Sequence, residues 1–196
     1  MADYYERNAQ NFISATQSVD MSELRTRFLA QLTQMPGGQC RILDAGTGSG
    51  RDARAFRFAG HEVEAFDASS AMVQAATLFS GVPVRLLSFE EFQWEQSFDG
   101  IWACASLLHV ARADLPAVFQ RLADHIVRGG ILYASFKFGT GNRRKDGRDF
   151  TDMTEETLSS LLDELPSLRQ VETWRSEDRR PDRKEDIWLN ALLRKT

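Results

Sequence analysis

The sequence predicts an α/β fold in which a mostly parallel sheet lies between two layers of helices. Short apolar segments typical of strands alternate along the chain with segments of helical periodicity. One strand segment, 41–45, leads directly into Gly46, Gly48 and Gly50, as a strand does where it turns sharply into a helix. The 196 residues contain no linker, and a chain of this length buries about 70% of its unfolded surface as one domain.

The first half of the chain is expected to begin with a helix, because Leu24, Phe28 and Leu32 recur at helical spacing after Asp20. The expected domain is 1–196, with a helical lid segment at 1–36 and a core at 37–196. The elements predicted next are a strand at 41–45, a helix at 53–59, a strand ending at Asp67, a helix capped by Ser69 or Ser70 and a strand at 84–87.

The second half continues the alternation. Asp114 is expected to cap a helix that Gly129 and Gly130 close, and Thr154 to open another. Strands are predicted at 98–104, at 131–136, near 171–176 and near 187–193. The charged segment 177–186 suits a long hairpin loop between the last two strands.

The glycine-rich turn predicts a cofactor site, and its neighbours indicate which cofactor. The dinucleotide fingerprint requires a third glycine where this chain has Arg51, so NAD and FAD are disfavoured. Asp44 precedes the first glycine by two residues; an anion there repels phosphates but suits an ammonium or sulfonium group. Asp67 follows roughly twenty residues later, the separation at which an acid reaches ribose hydroxyls. S-adenosylmethionine fits both acids.

Composition excludes several other classes. The net charge of -4 disfavours a nonspecific nucleic-acid binder. Cys40 and Cys104 have neither metal-ligand spacing nor the number for a disulfide framework, so no metal is expected. The first ten residues lack the apolar core of a signal peptide, and no apolar run reaches membrane-spanning length. We therefore expect a cytoplasmic protein with no membrane partner.

Several motifs follow one another in a characteristic order, namely LDAGTGSG, FDAS, SFDGIWACASLLHV and IVRGGILYASF. In this order the chain resembles class I S-adenosylmethionine-dependent methyltransferases over nearly its full length. It is similar to small bacterial members of the tellurite-resistance or generic type, which share YYxxNAxxF, GRD and RDFT. The resemblance implies a Rossmann-like three-layer sandwich, with a seven-stranded sheet of order 3-2-1-4-5-7-6 whose last strand is antiparallel.

The resemblance also implies how the cofactor is held. The residues expected around its amino-acid end are Asp44, Gly46, Thr47, Gly48 and Gly50, with Asp44 holding the ammonium group. Asp67 is expected to bind the ribose hydroxyls, and Ala105 follows strand four where the methyl group passes.

The adenine is expected to lie against Ala68, Ser69 and Met72. Many relatives place an aspartate at the end of strand three to accept the adenine amine, whereas this chain has Ser88. Phe89 and Glu90 follow it and are expected to supply an apolar face and a replacement acid.

The candidate acceptor residues each have a structural alternative. His109 is a candidate general base, because imidazole titrates near neutrality, or it hydrogen-bonds a loop carbonyl. Tyr4 and Tyr5 are expected to reach the methyl site from the lid, or to pack on the sheet edge. Ser106 is a candidate substrate contact, and Arg148 either binds the substrate or anchors its loop. The basic residues from Arg143 to Lys145 suit a solvated loop or an oxyanion clamp.

The predicted function is methyl transfer from S-adenosylmethionine to a small-molecule acceptor, giving S-adenosylhomocysteine. Arg148 and its basic neighbours favour an anionic acceptor, and ASLL after strand four disfavours a nucleic-acid amine. Two alternatives remain open: a non-catalytic S-adenosylmethionine-binding regulator, and an aminopropyltransferase, although the chain lacks acids beyond strand four for the latter. A monomer or weak homodimer is expected.

Overall fold

The structure, a computed structural model, describes residues 2–32, 38–145, 147–180 and 183–196. Its strands are β1 (Arg41–Ala45), β2 (Glu62–Asp67), β3 (Val84–Leu86), β4 (Phe98–Ala103), β5 (Ile126–Lys137), β6 (Asn142–Lys145), β7 (Arg148–Thr151), β8 (Leu168–Glu177) and β9 (Ile187–Lys195). Its helices are α1 (Ala2–Thr16), α2 (Ser22–Leu32), α3 (Arg51–Phe58), α4 (Ser70–Ser80), α5 (Leu115–Asp124) and α6 (Glu155–Asp163).

Seven strands form one sheet in the order β3-β2-β1-β4-β5-β9-β8, and β6 pairs with β7 in a separate hairpin. The strands from β3 to β5 are parallel, whereas β9 runs antiparallel to both of its neighbours. Without the hairpin, β8 and β9 are the sixth and seventh strands along the chain. The predicted order 3-2-1-4-5-7-6 with an antiparallel last strand is therefore confirmed.

Successive residues of the central strands face opposite layers, as the strand period of two requires. Ile42 packs in a cluster with side chains of α2 and α3, and the next residue, Leu43, packs with side chains of α5 and α6. Trp102 of β4 stacks on Tyr133 of β5 with ring centroids 3.9 Å apart. The sheet is thus buried on both faces, and its strand ends are the surface left for a binding site.

The N-terminal segment divides into two parts with different roles. The predicted apolar stripe of α2, Leu24, Phe28 and Leu32, is buried against the sheet, so α2 belongs to the helical layer. Only α1 lies over the strand ends, and it bends at Asn8, whose backbone angles are not helical. Residues 33–37, at the predicted boundary between lid and core, lie outside the described residues.

Two expectations about the second half are wrong. Gly129 and Gly130 do not close α5, which ends at Asp124; they lie inside β5, where the pairing with β4 shifts register between Phe98 and Gly100. The segment expected as a solvated loop contains the β6–β7 hairpin, in which Arg143 pairs with Phe150. In both cases pairing with a neighbouring strand determines the backbone path. Among the described residues, no helix is long and apolar enough to cross a membrane.

Candidate active site

The carboxyl ends of β1, β2, β4 and β5 border one cavity of about 410 Å³. Strand ends at this edge of a parallel sheet are the usual ligand position in α/β folds. The α1 helix covers part of the cavity, and the β6–β7 hairpin and the ends of β8 and β9 close its far side. The volume falls in the range of small-molecule sites.

The turn between β1 and α3 requires glycine at two positions. Gly46 has φ of 73°, and a Cβ there would lie 2.5 Å from the Cβ of Ser106. Gly50 has φ of 76°, and its Cβ would lie 2.9 Å from the backbone of Ala76. Gly46 therefore keeps the turn close to the residue after β4, whereas Gly50 lets α3 pack on α4 and does not line the cavity.

Asp44 lies at the floor of the cavity. Its Oδ2 accepts hydrogen bonds from the Thr47 hydroxyl at 2.6 Å and the Ala53 amide at 3.0 Å. Within the described part of the chain, no hydrogen bond reaches Oδ1. Burial, followed by the nearby charge of Asp52, raises the pKa of the Asp44 carboxyl to about 7. A cationic group beside Oδ1 would relieve this penalty, so the site fits the ammonium of the predicted cofactor.

Asp67 ends β2 and bridges two turns. Its Oδ2 accepts from the Gly48 amide at 2.8 Å and its Oδ1 from the Ser69 amide at 3.0 Å. Burial raises the pKa of this carboxyl although these backbone amides oppose the shift. Each oxygen retains a lone pair for a further donor, so the carboxylate fits a pair of ribose hydroxyls.

The adenine side of the cavity is mostly apolar. Met72 is buried and lines it, and Phe89 packs edge-to-face on Phe66 with centroids 5.1 Å apart. Ser88 also lines the cavity, but its hydroxyl donates to Glu91 at 3.0 Å. Glu90 lines the cavity beside it, so an acid does lie near the position where relatives have their aspartate.

Three contacts fasten α1 over the cavity. Glu6 accepts hydrogen bonds from the Ser69 hydroxyl at 2.9 Å and the Ser70 hydroxyl at 3.1 Å, at the start of α4. The Phe12 ring lies above the glycine turn, 3.2 Å from where a Cβ of Gly48 would be. Tyr5 makes the third contact, with His109. The lid expected at the N-terminus is thus formed by α1.

Tyr5 and His109 form a hydrogen-bonded pair whose direction can be assigned. The His109 Nδ1 lies 3.0 Å from the Asp149 carbonyl, which can only accept, so Nδ1 carries the proton. Nε2 is then the acceptor for the Tyr5 hydroxyl, 3.0 Å away. Burial lowers the pKa of His109 to about 4, so its ring is neutral at pH 7. Burial raises the pKa of Tyr5, against a hydrogen bond from Arg148.

The hairpin contributes two arginines to the cavity wall. Arg148 lies with its guanidinium carbon 4.0 Å from the Tyr4 ring centroid, which ties the hairpin to α1. Arg143 donates to both carboxylate oxygens of Asp152, at 2.7 and 3.0 Å. Arg143 and Arg148 both line the cavity, whereas Tyr4 does not.

Beyond β4 the cavity has a polar wall, here called the acceptor wall, which consists of Cys104, Tyr133, Ser135, Lys137 and Asn190. Ala105, just before it, has a left-handed φ of 54°, a strained conformation for a non-glycine residue. The Ser135 hydroxyl accepts from the Ala105 amide at 2.8 Å and holds this bend. Burial raises the pKa of the Cys104 thiol to about 12, so it stays protonated. In the described residues, no cluster of His, Cys, Asp or Glu could hold a metal ion.

Most of the predicted site residues lie together around this cavity. The predicted residues that line it are Tyr5, Asp44, Gly46, Thr47, Gly48, Asp67, Ala68, Met72, Ser88, Phe89, Glu90, Ala105, Ser106, His109 and Arg148. Those that do not are Tyr4, Gly50 and Ser69, which pack or cap neighbouring elements. Sequence reasoning missed Arg51 and the acceptor wall, because a polar residue inside a strand pattern gives no functional signal.

Comparisons with known proteins agree with this geometry. Residues 42–130 match the profile of a methyltransferase domain family. A search of curated proteins gives no significant match.

Several solved structures share the fold. One is the 1,6-didemethyltoxoflavin-N1-methyltransferase of Burkholderia thailandensis with bound S-adenosylhomocysteine, at 23% identity and a TM-score of 0.76 over 98% of this chain and 84% of that chain. Another is the magnesium protoporphyrin IX methyltransferase of Synechocystis, at 16% identity and 0.74 over 100% and 98%. The N-methyltransferase NodS of Bradyrhizobium japonicum aligns at 15% identity and 0.73 over 98% and 99%.

The matched segment and the shared fold confirm the predicted class. The chain carries a class I methyltransferase domain, and S-adenosylmethionine is the cofactor of that class. The alternative of a non-catalytic regulator has no support among these comparisons.

Proposed function

We propose that the protein transfers the methyl group of S-adenosylmethionine to a small-molecule acceptor bound against the acceptor wall. The observation that carries this proposal is one continuous cavity with buried carboxylates at one end and the acceptor wall at the other. When bound, the cofactor supplies a methyl group on a positively charged sulfur. The protein's task is then to align the two reactants and exclude water.

The cofactor is proposed to lie with its amino-acid end at Asp44 and its ribose at Asp67. Their raised pKa values support this placement, because both buried carboxylates gain from a partner. Met72 and Phe89 would hold the adenine between apolar side chains. Ala105 and Ser106 are proposed to border the methyl group, since they follow β4 at the middle of the cavity.

Tyr5, rather than His109, is proposed to meet the acceptor. The Tyr5 proton is committed to Nε2, so the phenol oxygen can accept a hydrogen bond from an acceptor N–H or O–H group. Methylation makes that group acidic, and its proton can then pass to the Tyr5 oxygen while the Tyr5 proton passes to Nε2. Because the low pKa of His109 disfavours the imidazolium, this transfer follows formation of the new bond to carbon.

An anionic group on the acceptor is supported by the cations along the cavity. Lys137, Arg143 and Arg148 all line it. Asp178 and Asp186 offset Lys137, and Asp152 offsets Arg143. We therefore propose Arg148 as the residue that contacts the anion, with its planar fork matching a carboxylate or a similar oxyanion.

The first experiment is calorimetric titration of S-adenosylmethionine and S-adenosylhomocysteine into the protein, with NAD as the control. Micromolar binding of the first two and none of NAD is expected, and no binding of either would overturn the proposal. An acceptor screen that measures S-adenosylhomocysteine formation follows. Tyr5→Phe should lower turnover by about 100-fold, whereas Tyr4→Phe is the matched control, since it keeps the ring that stacks on Arg148. Equal effects of the two variants would contradict the role of Tyr5.

A further inference from the structure

Arg51 places a buried guanidinium in the amino-acid end of the cavity. It is the first residue of α3, directly after the glycine turn, and it lines the cavity together with Asp44 and Asp52. Its Nε donates to Asp52 Oδ1 at 3.1 Å, and its Nη2 bonds to Asp52 Oδ2. Nη2 also lies 4.0 Å from the Cys104 sulfur, at the end of β4. The side chain is therefore fixed between the ends of β1 and β4.

Asp52 fixes Arg51 without consuming all of its donors. The Arg51 Nη1 has one long hydrogen bond, 3.4 Å to the carbonyl of Thr16 at the end of α1. Its second hydrogen has no acceptor in the described part of the chain. A guanidinium held on one edge with donors left on the other is prepared for a second carboxylate, since this group binds carboxylates through paired donors.

The charges around Asp52 also leave room for an anion. Asp52 receives Arg25 at 2.7 Å as well as Arg51, and the Trp102 indole donates to it at 3.0 Å. No other carboxylate in the described ranges forms a salt bridge with Arg25 or Arg51. Two buried or half-buried cations thus share one carboxylate. A low-dielectric site favours a further anion beside such an excess of positive charge.

We propose that Arg51 binds the α-carboxylate of the cofactor and makes the site select cofactors that carry this carboxylate. The inference rests on S-adenosylmethionine as the proposed ligand. Asp44 Oδ1 and Arg51 Nη1 then form a receptor for a zwitterion, with the carboxylate for the ammonium and the guanidinium for the carboxylate. Decarboxylated S-adenosylmethionine, the donor for aminopropyl transfer, would leave Arg51 without its partner and is rejected.

A structural role for Arg51 makes a different prediction. If Arg51 only tied α3 to Asp52 and α1, its removal would disturb every ligand of the cavity to the same degree. If it binds the carboxylate, its removal affects only ligands that have one. Comparing ligands within each variant therefore separates the two roles even where a variant loses some stability.

The experiment is calorimetry with three ligands against three proteins. The ligands are S-adenosylmethionine, decarboxylated S-adenosylmethionine and 5′-methylthioadenosine, which lacks the whole amino-acid end. The proteins are wild type, Arg51→Met and Arg25→Met. Arg25 is the matched control, because it binds the same Asp52 but does not line the cavity.

Wild type should bind decarboxylated S-adenosylmethionine about 10- to 100-fold more weakly than the full cofactor. Arg51→Met should abolish that preference and leave the affinity for 5′-methylthioadenosine unchanged, whereas Arg25→Met should retain the preference. A wild type that binds both cofactors equally, or an Arg51→Met protein that keeps the preference, overturns the inference and leaves the proposed function intact. Failure of wild type to bind any of the three would instead overturn the proposed function.

Discussion

The affinity for S-adenosylhomocysteine should rise between pH 6 and pH 8, because Asp44 must be ionised to hold an ammonium group. Burial raises the pKa of Asp44 to about 7 in the free protein. A bound ammonium stabilises the charged form and lowers that pKa, so binding releases a proton wherever free Asp44 is still protonated. The sign is therefore fixed: binding strengthens as pH rises through 7 and levels off above it.

The magnitude follows from the ionised fraction. A carboxyl of pKa about 7 is about 10% ionised at pH 6 and about 90% ionised at pH 8. If only the ionised form binds, the association constant rises about tenfold across this interval, or about 1.3 kcal/mol. The neighbouring groups keep their charge, because His109, with a pKa of about 4, is already neutral and Asp52 holds Arg51 protonated.

The assay is calorimetric titration at pH 6, 7 and 8, each in two buffers that differ in ionisation enthalpy. At pH 7 the buffer dependence should show release of about half a proton per ligand bound. Asp44→Asn is the control: it should bind more weakly at pH 8 and lose the pH dependence. A wild type with constant affinity, or an Asn variant with the same slope, would refute the assignment of Asp44.

Two further substitutions test the other assigned positions. Asp67→Ala should weaken S-adenosylhomocysteine binding by about 30-fold, or about 2 kcal/mol, because it removes the proposed ribose contact and leaves the Gly48 and Ser69 amides without their acceptor; unchanged affinity in the same titration would exclude the ribose role. Arg148→Ala should leave that affinity intact while turnover of the acceptor found by screening falls by about tenfold or more, since Arg148 stacks on Tyr4 of the lid and lies away from both carboxylates. A matched loss of affinity and turnover would make Arg148 a structural anchor.

The central sheet was predictable from sequence because its signals are local. The strand that ends at Ala45 and the strand that ends at Asp67 are each a short apolar run followed by a turn residue, and both lie where expected. The carboxyl ends of parallel strands share one edge, so the position of Asp44 and Asp67 at the cavity followed from the strand boundaries alone.

The second half was less predictable because its backbone follows distant partners. Gly129 and Gly130 are typical of a helix end, yet they continue a strand because β5 pairs with β4 on one side and β9 on the other. The basic segment at 142–151 has no apolar alternation to indicate strands, and its hairpin is visible only through the pairing of β6 with β7. Long-range pairing of this kind has no counterpart in a single-sequence pattern.

Side-chain contacts across the site were the least predictable part. The Tyr5 and His109 side chains meet although 104 residues separate them, and Glu6 reaches Ser69 across 63. The sequence identified both aromatic and imidazole groups as candidates but gave no means of pairing them. The pairing changes the chemistry, because it occupies both nitrogens of His109 and makes Tyr5 the group that borders the cavity.

Position 51 connects the sequence argument with the structural one. Its arginine broke the dinucleotide fingerprint, which needs glycine there so that a pyrophosphate can approach the backbone. In the folded chain the same side chain is held by Asp52 and offers donors to the cavity beside Asp44. An acid and an arginine at this end suit an amino-acid zwitterion and would meet a pyrophosphate with one repulsive partner. One residue thus accounts both for the cofactor that the chain excludes and, on the proposed reading, for the cofactor that it selects.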